Sequence, residues 1–274
     1  MLPPGSPPDV SGAYRFSFEP FFLVLAAAAA ELYVRQARRA PRRERPGAAR
    51  VASFALGLAL VAVPVDSPLE TISAHYLLLA HLLQNALIAD WGPPLLIIGL
   101  TPAMRRAVAV AGGRPLRWLT RPAVALLVWL VIWYGVHVPA PYDWALRDGW
   151  PLTLEHALLV AAGLVFWWPV LGEPRRLEAL GTLGYLGIAF IAAPWLSLAY
   201  IFASQPFYSF YAAAPRLWGL SPIRDQSLAG ILMNAEQTSI IAIAFAWAIL
   251  RVLAEEEERQ RRLDGAYLEL GSER

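Results

Sequence analysis

The sequence has no cysteine and no lysine, and it has few charged residues. Without cysteine, the chain can form no disulfide, thiolate zinc site or iron–sulfur cluster. All 23 basic residues are arginine, which excludes a retinal Schiff base because that bond needs a lysine amine. Charged residues make up 16% of the 274 residues, against about a quarter in soluble domains. These features exclude a water-soluble globular protein.

The hydrophobic residues, 57% of the chain, are gathered into long runs with almost no charge. Runs of about 17 to 24 residues are the length that crosses a hydrocarbon core of about 30 Å as a helix. The sequence therefore predicts an all-α polytopic membrane protein, a bundle of seven transmembrane helices. The predicted spans are residues 17–34, 51–67, 72–92, 121–138, 152–171, 180–203 and 228–252, and we expect a kink or stop in the third at Gly92-Pro93-Pro94.

The arginines predict how the bundle is oriented. Nineteen of them lie in the segments after spans one, three, five and seven, and four lie on the opposite side. By the positive-inside rule, the N-terminus faces outward and the C-terminus faces the cytoplasm. This divides the chain into an extracytoplasmic segment (1–16), a seven-span membrane domain (17–252) and a cytoplasmic tail (253–274), which we expect to begin as a helical extension.

Ionisable side chains inside the predicted spans are the first candidates for a functional site, because they are costly to bury in hydrocarbon. All four histidines fall in the outer half, on three helices. At 1.5 Å per residue, His81 and Glu236 come out at a similar depth, about 12 to 13 Å below the outer surface. We predict a metal site with His81, His156 and Glu236 at its core and with His137 and His75 near its entrance; Met233 is a further candidate ligand.

Imidazole, carboxylate and thioether ligands suit copper, zinc or iron. Three other interpretations of the same residues stay open. Two histidines facing each other across the bundle could ligate a b-type haem, which would make the protein a haem-binding or electron-transferring cytochrome. A permease for copper or another small ion would need polar residues through the inner half as well, where Asn85 and Asp90 are nearly the only candidates. Finally, the polar residues could be structural, since polar pairs hold membrane helices together.

No sequence motif indicates an enzyme. The chain has no glycine-rich phosphate loop, Ser/His/Asp set or HExxH motif in a position where it could work. The arginine-rich segments are explained by membrane topology, so no nucleic-acid partner is expected. We therefore predict a non-enzymatic protein whose immediate surroundings are the lipid bilayer.

Several sequence segments, taken together, resemble those of a known family. They are Ser73 to Asn85 followed by Pro93-Pro94, Trp133 to Pro139 with Tyr142-Asp143, Glu155-His156 leading to Phe166-Trp-Trp-Pro-Val170, and Asp225-Gln-Ser-Leu-Ala-Gly230. In this order they resemble the CtaG-type cytochrome c oxidase assembly factors, over about residues 70 to 240. The phrases FWWPV and DQxLAG are the most specific part of the resemblance.

The resemblance implies a seven-span protein of the bacterial plasma membrane that is needed to make active haem-copper oxidase, with histidines that handle copper on the outer side. Its implied partners are cytochrome c oxidase subunits and other copper chaperones. One position departs from the family, which commonly has His-x-x-Gln-His before the double proline. Here His81 matches the first histidine and Asn85 stands at the second. Because asparagine binds copper poorly, this departure predicts that His75 compensates, that metal binding is weaker, or that the histidines are structural. In the last case the protein would be a purely structural partner that holds oxidase subunits during assembly.

Overall fold

A computed structural model describes residue 10 and residues 12–147 and 149–272, with side chains described up to Leu263. Over these ranges the chain forms α-helices joined by short connections, and no strand is present among them. The α-helices are α1 Pro20–Arg39, α2 Ala48–Ala62, α3 Pro68–His75, α4 Leu78–Ala86, α5 Gly92–Gly99, α6 Pro102–Leu119, α7 Pro122–Val136, α8 Pro139–Ala145, α9 Gly149–Leu171, α10 Ala179–Ala192, α11 Pro194–Phe202, α12 Ser209–Ala213 and α13 Pro222–Ser272. Short 3₁₀ turns cover Arg42–Glu44 and Val63–Asp66, and a π-helical turn covers Leu87–Trp91. The predicted all-α membrane class is confirmed.

Five helical stretches are long and apolar enough to cross a membrane. They are Pro20–Arg39, Ala48–Asp66, Gly149–Leu171, Ala179–Phe202 and Pro222–Leu263. Two further pairs qualify only when a bent pair is counted as one span: Leu78–Gly99 with Pro102–Leu119, and Pro122–Val136 with Pro139–Ala145. The described part of the chain therefore has five to seven candidate spans. Seven spans and the outward N-terminus stay predictions, and we call the end that the arginines assign to the outside the outer end.

The third predicted span differs from expectation at both ends. It does not run without a break from residue 72, because α3 ends at His75 and α4 begins at Leu78. The helix does not stop at the double proline, because it continues from Leu78 to Gly99, with a π-helical turn over Leu87–Trp91 directly before Gly92-Pro93-Pro94. The π-helical turn just before Pro93 is the feature that sequence analysis missed, and such turns are wider than an α-helical turn. It lies where the two prolines remove backbone donors.

The sharp bend follows the prolines instead of coinciding with them. Between α5 and α6 the chain turns by 111°, and Thr101 caps the new helix by accepting a hydrogen bond from Met104 N. Apart from Met104, the side chains of α6 are at least partly exposed, and four of them are arginines. At the other end of the chain, α13 continues past its apolar part to Ser272. The expected helical extension of the tail is thus confirmed.

Aromatic and small residues hold the bundle together. One apolar cluster lies towards the outer end and includes Tyr142, Tyr200 and Met233. A second lies towards the inner end and includes Trp129 and the Phe166-Trp167-Trp168 run. The phrase FWWPV is therefore mainly packing. Helix α9 approaches the π-helical turn Leu87–Trp91 very closely at Gly163, where a Cβ atom would lie 2.1 Å from the carbonyl oxygen of Ala89.

Candidate functional site

Buried polar side chains from three helices meet near the outer end, around His81. Nδ1 of His81 lies 3.0 Å from the hydroxyl of Tyr211, and Nε2 lies 3.1 Å from Oε1 of Glu155. Asn85 donates to the same carboxylate oxygen at 3.2 Å. His81, Asn85 and Glu155 are each 5% exposed or less. A helical spacing of four residues places His81 and Asn85 on one face of α4, and Glu155 on α9 bridges them.

The hydrogen bonds determine where the protons of this group lie. Tyr211 donates its single proton to the carbonyl oxygen of Ser73 at 2.5 Å, so its oxygen accepts from Nδ1 of His81. Because Nδ1 carries a proton, the contact between Nε2 and Glu155 requires one more. That proton makes either an imidazolium paired with a carboxylate or a neutral imidazole facing a carboxylic acid. His81 therefore has no free lone pair unless it leaves Glu155.

His156 and His137 are the two buried histidines that keep a free ring nitrogen. The His156 ring lies 5.8 Å from that of His81 between centroids, and its Nε2 is buried with no hydrogen-bond partner among the described residues. Nδ1 of His137 lies 2.6 Å from the carbonyl oxygen of Trp133, which makes Nδ1 the donor. Its Nε2, also buried and unbonded in the described structure, keeps its lone pair. A histidine held through one nitrogen by a carbonyl is the usual arrangement of a metal ligand.

A tyrosine cluster separates the two groups of histidines. The ring of Tyr142 lies 4.9 Å from that of His81 and 5.9 Å from that of His137, and it stacks on Tyr208 at 4.2 Å. Tyr208 also donates to the carbonyl oxygen of His137 at 2.9 Å. Sequence analysis missed Tyr208 and Tyr211 as parts of the site. The only signal for them was a short tyrosine-rich segment in a loop between apolar helices.

The hydrogen-bond network continues from His81 to a buried acid at the outer end. Ser73, whose carbonyl accepts from Tyr211, also donates through its hydroxyl to Gln84 at 2.7 Å. The amide of Gln84 in turn donates to Glu70 on α3. Burial is the largest effect on Glu70 and raises the pKa of its carboxyl to about 7. Gln84, which stands at the family's glutamine position, therefore links the two acids Glu70 and Glu155 through side chains and one carbonyl.

Asp225 explains how the break before α4 is held. Its carboxylate accepts hydrogen bonds from the backbone N–H groups of Leu78 at 2.9 Å and Leu79 at 3.0 Å, the first two residues of α4. The next residue, Gln226, accepts from Phe207 N at 2.7 Å. The phrase DQxLAG thus satisfies backbone groups of two other segments. It positions His81, which lies less than one turn into α4, without being a ligand set itself.

Two of the predicted ligands, His75 and Glu236, lie apart from His81 and His156. His75 ends α3, is exposed, and packs edge-on against Tyr76. Met233 is buried in the outer apolar cluster. Glu236 accepts a hydrogen bond from Trp91 Nε1 at 3.2 Å. Trp91 lies ten residues beyond His81 along the Leu78–Gly99 helix, so Glu236 lies about 15 Å deeper than His81. The expected common level of His81 and Glu236 is not observed, because the start of α13 reaches the outer end at Asp225.

The site fits a metal ion only in part. Within the described ranges, no three His, Asp or Glu side chains are grouped closely enough to hold an ion as they stand. The fit rests on the free Nε2 atoms of His137 and His156, since imidazole is a good ligand for copper and a buried nitrogen without a partner is costly. A cleft of about 310 Å³ between α7, α8 and α9 reaches Glu155 and is otherwise apolar, and neither His137 nor His156 is among its lining residues in the described part of the chain.

Comparisons with known proteins identify the family of the chain. The chain is 26% identical over 217 residues to uncharacterized protein Mb0105 of Mycobacterium bovis and, equally, to uncharacterized protein MT0111 of Mycobacterium tuberculosis. Each alignment covers 69% of this chain and 33% of the relative, so the chain spans about a third of the length of these curated relatives. No solved structure matches the chain. The family model described as cytochrome c oxidase caa3 assembly factor matches residues 31–255, most of the chain, and this chain therefore belongs to that family, Caa3_CtaG.

Proposed function

We propose that the protein is a non-enzymatic membrane assembly factor for haem-copper cytochrome c oxidase, and that it receives copper at the buried histidines of the outer end and passes it to the nascent enzyme. The observation that carries the proposal is the buried, unbonded Nε2 of His156, whose ring lies 5.8 Å from that of His81. His137 has a second such atom on the other side of Tyr142. Family membership supports the assembly role. Copper is cargo in this proposal and not a resident cofactor.

The arrangement suits transient binding better than tight storage. A tight site would have three or four ligands already in place, whereas here His81 must leave Glu155 before its Nε2 can reach an ion. His81 and His156 have the shortest ring separation of the histidines, 5.8 Å, and Glu155 beside them would offset the ion's positive charge. Asn85 at the family's second histidine position removes one imidazole, which also favours weak binding.

Copper binding by the purified full-length chain tests the proposal. The expected result is about one Cu(I) per chain in detergent, measured by competition with a chromophoric chelator under reducing conditions. His156→Ala and His81→Ala should each weaken binding by tenfold or more. His75→Ala is the matched control, because His75 is exposed and lies outside the cluster; this variant should bind copper as the parent does. Equal binding by all three variants would overturn the site assignment.

The assembly role is tested in cells that depend on this chain for oxidase maturation. His156→Ala should leave the protein in the membrane and lower the copper content and activity of the oxidase, while His75→Ala should not. If the His156 variant supports full oxidase activity, the histidines are structural and the chain serves assembly in another way. A Soret band in the purified protein would instead support the haem-binding alternative.

A further inference from the structure

A second cavity, independent of the proposed copper site, lies at the opposite end of the bundle. It has a volume of about 470 Å³. Its walls are formed by α2, the π-helical turn with α5, the start of α6, the end of α9 with the loop that follows it, and α13. Three of its lining residues are arginines, namely Arg50, Arg105 and Arg175. The rest of the wall is aliphatic and aromatic. In the predicted orientation this end faces the cytoplasm.

Two of the three arginines are held in place without being neutralised. Arg50 donates to the carbonyl oxygens of Ile98 at 2.9 Å and Leu100 at 2.7 Å, and Arg105 donates to that of Leu171 at 2.6 Å. These carbonyls cap helix ends but carry no net charge. Among the described residues, none of the three arginines forms an ion pair. The Nε of Arg105 is buried without any hydrogen-bond partner in the same ranges.

Mutual repulsion makes this arrangement incomplete. Arg50, Arg105 and Arg175 line the same cavity, so their positive charges repel one another, and no carboxylate is among the lining residues in the described part of the chain. Glu173 lies 4.0 Å from Arg106, and neither of these two residues lines the cavity. Positive charges gathered around a cavity without a matching acid favour an anion between them.

The apolar wall favours an anion that carries a hydrocarbon part. Ile98 is 43% exposed and Ile243 is 61% exposed, so the wall continues onto the sides of the helices that face the hydrocarbon of the membrane. A free inorganic anion would gain nothing from this surface, and an uncharged lipid would leave the arginines unbalanced. An amphiphilic anion satisfies both parts of the cavity.

We propose that this cavity binds an anionic phospholipid of the adjacent leaflet. The phosphate and headgroup lie among Arg50, Arg105 and Arg175, and an acyl chain lies along Ile98 and Ile243. Basic pockets between membrane helices on the cytoplasmic side are typical binding places for such headgroups. The bound lipid joins the start of α2 to the α5–α6 bend and to the loop after α9, three segments that otherwise repel each other through their arginines.

Ligand-dependent thermal stability of the purified chain in detergent tests the proposal, because a ligand that binds only the folded state raises its stability. Tryptophan fluorescence gives the unfolding temperature. Phosphatidylglycerol should raise it, whereas phosphatidylcholine of the same acyl chains and inorganic phosphate should not. Equal shifts with both lipids, or an equal shift with inorganic phosphate, would overturn the proposal.

Two neighbouring arginines provide a matched pair of variants. Arg175 lines the cavity and Arg176 does not; both are exposed, and their replacement by glutamine changes the net charge equally. Arg175→Gln should weaken phosphatidylglycerol binding about fivefold, as expected for one basic residue at a membrane surface, and Arg176→Gln should leave it unchanged. Equal weakening by both variants would mean that the lipid responds only to overall charge. Neither side chain donates a hydrogen bond within the described structure, so we expect both variants to fold as the parent chain does.

Discussion

Glu155 and His81 form a buried pair, with Oε1 of the first 3.1 Å from Nε2 of the second and at most 5% of either side chain exposed. We expect Glu155→Leu to lower the stability of the purified chain by about 3–5 kcal/mol, because it leaves the donors of His81 and Asn85 buried without an acceptor. Thermal unfolding followed by tryptophan fluorescence measures the effect.

The control for this prediction is an exposed pair of the same type. Glu257 and Arg261 lie 2.5 Å apart on the tail of α13, with both side chains more than 60% exposed. Glu257→Leu should change stability by less than about 0.5 kcal/mol, since solvent screens such pairs. In addition, His81→Leu with Glu155→Leu should cost less than the sum of the two single changes. Additive costs would show that the two residues do not act as a pair.

A second prediction concerns the cap that Asp225 provides for α4. Asp225→Ala removes the acceptor for the N–H groups of Leu78 and Leu79 inside the bundle. The expected cost is about 1–2 kcal/mol, the upper range for a lost N-cap, because water cannot easily replace the carboxylate there. Copper binding should fall as well, since the cap positions the helix that carries His81.

Asp143→Ala is the comparison for Asp225→Ala. Asp143 accepts from Ser209 N and Phe210 N and so caps the short helix α12, but these bonds are at least partly exposed. Water can replace them, and the expected cost is about 0.5 kcal/mol. A larger effect from Asp143 than from Asp225 would contradict the role given to the buried cap.

A third prediction concerns the close approach at Gly163. A Cβ atom there would lie 2.1 Å from the carbonyl oxygen of Ala89 and 2.7 Å from the ring of Pro93. Gly163→Ala must therefore push α9 away from the π-helical turn, and we expect it to lower the free energy of unfolding by about 1–3 kcal/mol. Gly184→Ala on α10 meets nothing within 4 Å and should be neutral or slightly stabilising. Similar unfolding temperatures for the two variants would contradict the packing described for α9.

A fourth prediction concerns pH. Burial raises the pKa of Glu70 to about 7, whereas the same group in the unfolded chain titrates near 4.5. Below pH 4.5 both states bind this proton, and the contribution of Glu70 to stability is fully present. As the pH rises from 4.5 to 7 the unfolded chain releases the proton first, so stability falls across this window and is level above it.

Glu70→Gln should remove this part of the pH dependence. The difference in unfolding temperature between the parent chain and the variant, measured from pH 4.5 to 8, isolates the contribution of Glu70. Glu44→Gln is the control, because Glu44 is exposed on a short 3₁₀ turn; its profile should follow that of the parent. A parent profile that rises with pH relative to the Glu70 variant would have the opposite sign to our expectation.

Several features of the site could be predicted from local sequence. The i, i+4 spacing of His81 and Asn85 places them on one helix face, and the adjacent Glu155 and His156 lie inside an apolar helix where ionisable groups are rare. These four residues do meet in the structure. The placement of Glu236 could not be predicted in this way, because depth counted along a straight helix ignores where the helix begins and how it is tilted.

The sequence by itself determined the class of the protein. Its long uncharged runs can satisfy their backbone hydrogen bonds in the membrane only as helices, and its sequence segments, in their order, identify the family. Only the tertiary structure decided which polar groups meet. Hydrogen bonds between Asp225 and α4, and between Tyr211, His81 and Glu155, join residues 74 to 147 positions apart. Such contacts depend on helix breaks, on the close approach at Gly163 and on the π-helical turn before the prolines. No local periodicity encodes these features, because each is a compromise between neighbouring helices that pack against one another.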